Sequence, residues 1–216
     1  QSLRALGVRL VEDDLGAGYS SLIRLRQWPF HRIKIDQAIV LQARQDPLGT
    51  LRFMRQLIRI GHDLQLEVVV EGLESLDLVE AATILGADFG QGYALARPMP
   101  AEALPGWLAD YRSEPHKGGP RTALGALAGE LRWEEQFVAL PPRPAFWAAH
   151  ADSTCEPGEY LHDSTLSPAL DASHRAMHNA ATAGPADPLY RSRRAAFLAL
   201  LVAHVLEGWQ PQAAGP

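Results

Sequence analysis

The chain has 216 residues, 47 % of them hydrophobic, which is enough apolar material for one or two domains with buried cores. A formal net charge of −5 argues against a general binder of nucleic-acid backbones. The single cysteine, Cys155, excludes an internal disulfide and points to a reducing, cytoplasmic setting.

Residues 7–11 read as a short strand that gives way to Asp13, Asp14 and a loop forced by Gly16, Ala17 and Gly18. Residues 20–28 read as a helix stopped by Pro29, and 32–35 as a strand ending on Asp36. In 47–61, Leu48, Leu51, Met54, Leu57 and Ile58 follow helical spacing. Residues 66–70 read as a buried strand, 76–85 as a helix closed by Gly86, and 87–93 as a last strand. A helix through Tyr111 follows Pro98 and Pro100. Strands that are apolar almost throughout and alternate with helices predict an α/β fold, a parallel sheet covered on both faces.

Residues 112–121 form a charged, Gly- and Pro-rich linker with no apolar period. Beyond it, 123–140 reads as an amphipathic helix, 145–150 as a short helical piece, and 168–182 and 188–209 as longer helices. The expected division is an α/β part (1–111), the linker, a small all-α bundle (122–209) and a disordered tail (210–216). The longest apolar run, 195–206, is too short to span a bilayer and contains His204, so no membrane segment is expected.

Polar groups collect at the carboxyl ends of the predicted strands: Asp13 and Asp14, then Lys34 and Asp36, then Glu71 and Glu74, then Gln91 and Gly92. In (β/α)8 barrels that end carries the active site. Adjacent carboxylates repel unless a divalent cation neutralises them, although an acidic surface turn would look the same. Lysine occurs only at Lys34 and Lys117, arginine having taken almost every other cationic position. A compact amine whose pKa can fall on burial has properties arginine lacks.

The segments DDLGAGYSSL (13–22), RIKID (32–36), VVVEGLES (68–75) and FGQGYALARP (89–98) resemble, in order and spacing, the second half of EAL-domain cyclic-di-GMP phosphodiesterases. The resemblance implies a partial (β/α)8 barrel of the TIM type, with strands five to eight present and the Glu-Ala-Leu signature expected upstream of Gln1. It further implies hydrolysis of cyclic di-GMP to the linear dinucleotide with two Mg²⁺ or Mn²⁺ ions, and a homodimer formed through the barrel. On that resemblance Asp13 bridges the two metals, Asp14 and Glu71 hold the second, Glu71 is also a catalytic base, and Lys34 holds and helps deprotonate the attacking water. Asp36 and Gln91 hold water or phosphate, and Glu74 ties down the loop 16–21. Two carboxylate-clamped ions suit an in-line displacement, and hard oxygen ligands suit these metals.

In the helical part, His174 and His178 stand four apart on one helix face. With Glu130 in E-x-x-W and Cys155 in C-E-P-G-E-Y, they resemble a degenerate chemoreceptor zinc-binding domain, which implies a Zn²⁺ site. His150 and His162 are alternative ligands, and a solvated histidine face with an inert cysteine is the plain alternative. His31, His62 and His116 read as ordinary surface residues. Three functions are carried forward: a phosphodiesterase with a regulatory helical domain, a non-catalytic cyclic-di-GMP receptor or scaffold, and a zinc- or redox-sensing helical module.

Overall fold

The computed structural model describes residues 5–16, 22–112, 119–153, 155–161 and 168–208. The predicted tail, His116, His162 and residues 17–21 of the loop after the paired aspartates lie outside the described residues. Four parallel strands, β1 (Val11–Leu15), β2 (Arg32–Ile35), β3 (Glu67–Val70) and β4 (Phe89–Gly90), pair in the order β1-β2-β3-β4. Helices connect them: α1 (Leu22–Gln27), α2 (Gln37–Leu41) and α3 (Pro47–Asp63), and then α4 (Leu76–Leu85) between β3 and β4. Such a chain order is that of βα units, whose parallel strands need crossover connections.

The helix ends are set locally. Asp46 caps α3 by accepting from Gly49 N at 2.8 Å, with Pro47 in the first turn. Ser75 caps α4, and Gly86 closes it at φ +97°, a left-handed conformation that costs glycine nothing. One short helix, α2, was not expected from the sequence. It is started by Asp36, whose side chain accepts from Ala38 N at 2.7 Å.

The sheet corrects the expectation of two covered faces. Ile33, Ile35, Val68 and Val70 are buried on the face that packs against the helices. Arg32, Lys34 and Glu67 alternate with them on the other face and are only partly buried. RIKI has a period of two, so its charged positions share a side. The first strand is also shifted: it covers 11–15 and not 7–11, so Asp13 and Asp14 lie within it. The predicted strand 87–93 shrinks to two residues, because the chain turns at Gly92, whose carbonyl accepts from Leu95 N and Ala96 N.

A short 3₁₀ turn, Ala101–Ala103, leads into α5 (Leu104–Asp110). The C-terminal region is helical: α6 (Ala123–Ala139), α7 (Pro144–Ala151), α8 (Glu156–Leu161), α9 (Pro168–Ala181) and α10 (Pro188–Gly208). Among the described residues no helix is long and apolar enough to cross a membrane. Helix α6 departs from the amphipathic reading, since every residue from Leu124 to Leu131 is buried. A helix buried all round is enclosed by neighbours, here α4 on one side and α8 and α10 on others. Both parts of the chain therefore share one continuous apolar core.

Polar contacts reinforce that junction. Glu80 of α4 accepts from Arg121 N at 2.8 Å, from Thr122 N at 2.9 Å and from the Thr122 hydroxyl at 2.6 Å. Thr122 in turn caps α6. Glu135 pairs with Arg55 and Arg59 of α3, and Glu134 with Arg194 of α10.

Candidate active site

The paired aspartates converge by a route the sequence does not reveal. The register between β1 and β2 shifts between Glu12 and Leu15, a bulge that places one extra residue against the neighbouring strand. Asp14 sits there at φ +56°, in the left-handed region that aspartate tolerates better than most residues. Glu12 and Leu15 stay buried while Asp13 and Asp14 are both exposed. In a regular strand the two would face opposite sides.

Glu71 follows β3 directly, and its carboxylate is mostly buried. One oxygen from each of Asp13, Asp14 and Glu71 lies within 4.8 Å of the others. Lys34 reaches this group from β2. Its Nζ donates to Asp13 Oδ1 at 3.0 Å and forms an ion pair with Glu71. Partial burial pulls the Lys34 amine down, but the hydrogen bonds and charges of Glu71 and Asp13 outweigh it and hold its pKa above the ordinary lysine value. This reverses the expectation of a lowered pKa: the amine is protonated because carboxylates surround it.

The remaining predicted residues take different places. Asp36 lies outside the carboxylate group, with one oxygen engaged in capping α2. Gln91 lines a cavity of about 550 Å³ that also includes Glu71, Glu74, Gln37, Tyr93 and Arg97. Glu74 pairs with Arg44 at 3.1 Å; the loop it was expected to hold is largely outside the described residues. Gly72 shapes the cavity wall at φ +69°, where a Cβ would come within 2.6 Å of Gln37 Cβ.

Gln37, Tyr93 and Arg97 received no role from the sequence. The signal for two of them is a spacing of four across the turn that begins at Gly92. It lays the Arg97 guanidinium 4.8 Å from the Tyr93 ring centroid.

Three acidic oxygens around one point fit a hard divalent cation such as Mg²⁺ or Mn²⁺. Among the described residues Lys34 is the cation paired with this group, and the remaining negative charge is what such an ion would balance.

A second group lies in the helical region. Glu130 of α6, Cys155 ahead of α8, and His174 and His178 of α9 bring one ligand atom each within 4.8 Å of the others. Cys155 Sγ is 3.5 Å from His174 Nε2. His178 Nδ1 bonds the Ala151 carbonyl at 3.0 Å, which leaves Nε2 for the cluster. Both Glu130 carboxylate oxygens are buried without a hydrogen-bond partner. Burial, with the nearby Glu134 charge, raises the Glu130 pKa to about 8. Burial likewise lowers the pKa of His178. One thiol, two imidazoles and a carboxylate form a donor set that tetrahedral zinc accepts. His150 is elsewhere: it stacks on Trp133 at 4.8 Å and is not in the group. Of the histidines read as surface residues, His31 accepts from Leu10 N at 3.1 Å and His62 pairs with Asp88 at 3.0 Å.

Comparison with known proteins bears on the first of these sites. Residues 1–98 match the family model described as the EAL domain. An uncharacterized signaling protein of Caulobacter vibrioides is 39 % identical over 107 residues, covering 49 % of this chain and 13 % of that protein. The cyclic di-GMP phosphodiesterase RocR of Pseudomonas aeruginosa is 39 % identical over 100 residues, covering 46 % of this chain and 25 % of that protein. Among solved structures, one titled as the PaMucR phosphodiesterase in complex with c-di-GMP is 38 % identical. It has a TM-score of 0.45 and covers 48 % of this chain and 41 % of that one. The chain thus spans a quarter or less of the length of the two curated relatives named here. Residues 1–98 are similar in sequence to EAL domains, and the proteins that share this similarity include one named as a cyclic di-GMP phosphodiesterase.

Proposed function

We propose that this chain contributes to a metal-assisted phosphodiesterase that opens cyclic di-GMP to the linear dinucleotide. The observation that carries this reading is the convergence of Asp13, Asp14 and Glu71 around Lys34. When bound, a divalent cation at such a site lowers the pKa of water and stabilises charge on the phosphoryl oxygens. Asp13, Asp14 and Glu71 would hold it through hard oxygens. Lys34, held protonated between Asp13 and Glu71, would orient the attacking water by hydrogen-bonding its oxygen and would stabilise the charge that develops on the phosphate. Water adds to phosphorus, one ring P–O bond breaks, and the leaving oxygen takes up a proton. Gln91 lies on the wall of the adjoining cavity, where it can hydrogen-bond a phosphate oxygen.

The test is hydrolysis of cyclic di-GMP by the full-length protein with Mg²⁺ or Mn²⁺, with and without chelator. Metal-dependent appearance of the linear dinucleotide supports the reading. Tight binding without turnover would replace it with the receptor reading, and neither binding nor turnover would end both.

A second reading is favoured by Glu130, whose two carboxylate oxygens are buried and unpartnered beside a thiol and two imidazoles. We infer that Glu130, Cys155, His174 and His178 hold zinc, and that the helical region reports on it through α6. Zinc competition against a chromogenic chelator, with Cys155→Ala and His174→Ala in the whole chain, tests this. Unchanged affinity in both variants would refute it.

A further inference from the structure

The cavity beside the carboxylate group extends past Glu71 and Gln91 to Tyr93 and Arg97, which the hydrolytic chemistry does not use. It runs from Glu71 to Arg97, and its volume of about 550 Å³ is within the range of small-molecule sites. Arg97 and Tyr93 are both substantially exposed in it. The guanidinium carbon lies over the Tyr93 ring, 4.8 Å from its centroid, so the ring braces the group from one side. Among the described residues no carboxylate pairs with Arg97.

A flat guanidinium fixed against an aromatic ring is a device for reading the edge of a planar base. Guanine presents two acceptors, O6 and N7, on its Hoogsteen edge, which matches the two N–H groups of an arginine fork. Adenine replaces the first acceptor with an N6 donor, and the fork then meets a like group. The exposed ring of Tyr93 adds a stacking surface, as bases use on single-stranded sites. Gln37, kept close to Gly72 in the same lining, adds a neutral donor and acceptor.

Resting on the function proposed above, we infer that Arg97, braced on Tyr93, selects guanine over adenine in the cyclic dinucleotide. Arg97 is thus a specificity residue and takes no part in breaking the phosphodiester.

The experiment compares the full-length wild type with Arg97→Ala and Arg97→Gln. Equilibrium binding of cyclic di-GMP and cyclic di-AMP is measured by calorimetry, and turnover of bis(p-nitrophenyl) phosphate, a diester with no purine, serves as the control. Arg97→Ala should weaken cyclic di-GMP binding about 10- to 100-fold, the range of a good bidentate pair, and leave the purine-free diester unchanged. Arg97→Gln should move the preference toward cyclic di-AMP, because glutamine suits the N6 and N7 groups of adenine. A loss shared by the purine-free diester would assign Arg97 to the phosphate or to folding and overturn the inference. Unaltered cyclic di-GMP binding in both variants would overturn it as well. A wild type that ignores cyclic di-GMP altogether refutes the functional reading and this inference together. A wild type that acts on it, with indifferent Arg97 variants, refutes the guanine assignment alone.

Discussion

Lys34 Nζ lies 3.0 Å from Oδ1 of Asp13, the two residues reaching each other from adjacent parallel strands. Because Glu71 holds the same amine from a third strand end, Lys34 sits where charge and proton transfer meet. Lys34→Met should reduce turnover of cyclic di-GMP by about 10²–10⁴-fold, the usual worth of a placed acid–base group. Mn²⁺ affinity measured by calorimetry should persist, since the amine donates nothing to a metal. Lys34→Arg should be nearly as damaging, because a guanidinium does not release its proton. Retained activity in the arginine variant would reduce Lys34 to a source of charge.

Asp13→Asn and Glu71→Gln each remove a carboxylate from the acidic group while keeping its shape. Both should lower divalent-ion affinity by at least about tenfold and abolish measurable hydrolysis, with circular dichroism unchanged. Full activity in either variant would contradict the ligand assignment.

Glu130 gives a prediction whose direction depends on zinc. In chelator, its carboxyl is buried without a partner, so Glu130→Met should stabilise the protein by about 1–3 kcal/mol. That is a rise of roughly 2–12 °C in Tm for a chain of this size. Added zinc should raise the Tm of the wild type and leave the methionine variant much less changed. Calorimetric scans with and without zinc separate the two effects. Destabilisation by Glu130→Met in chelator would mean that the carboxyl has a bonding role in the fold.

The elements legible in the sequence were those fixed by nearby residues. Helix α4 matches residue for residue because Ser75 and Gly86 punctuate it, and β2 because it runs from Arg32 to a capping Asp36. The bulge at Asp14 was not legible, since it depends on how β1 registers against β2. Position along the chain nevertheless suggested that Asp13 and Asp14 face one way, and the structure reaches that arrangement by a different local geometry. The spacing of His174 and His178 was readable as one helix face. Their approach to Glu130, on another helix, was suggested only by a family pattern. Gln37, Tyr93 and Arg97 escaped because a cavity wall formed by the first residue of α2 and the turn after β4 has no period.

Asp77 supplies a pH dependence. Burial raises its carboxyl pKa, and the charge of Glu80 adds to the effect. A folded-state pKa above the unfolded value favours the neutral acid in the fold, so stability is fullest at acid pH and declines as pH rises through the folded pKa. Asp77→Asn should therefore raise Tm slightly at pH 7, with the gain shrinking as pH falls through the ordinary aspartate pKa of about 3.9 and gone well below it, where both states are protonated in the wild type. A gain that persists at pH 3 would point to packing instead of charge.

Glu80 accepts from two backbone amides and one hydroxyl at the start of α6. Glu80→Ala should cost about 1–2 kcal/mol by leaving those donors short of a partner. Urea titration of the whole chain would show the lowered midpoint, and Glu80→Gln should recover part of it. An unchanged midpoint would make the contact incidental.

The enclosure of the first half of α6 bears on how this polypeptide can be taken apart. A fragment ended at residue 112 would strip α4 of the helix that lies along it and bare apolar surface prone to self-association. Grafting the C-terminal helices onto another protein would fail in the same way unless the recipient offered a surface shaped like α4. The covalent boundary and the mechanical boundary of these two parts do not coincide.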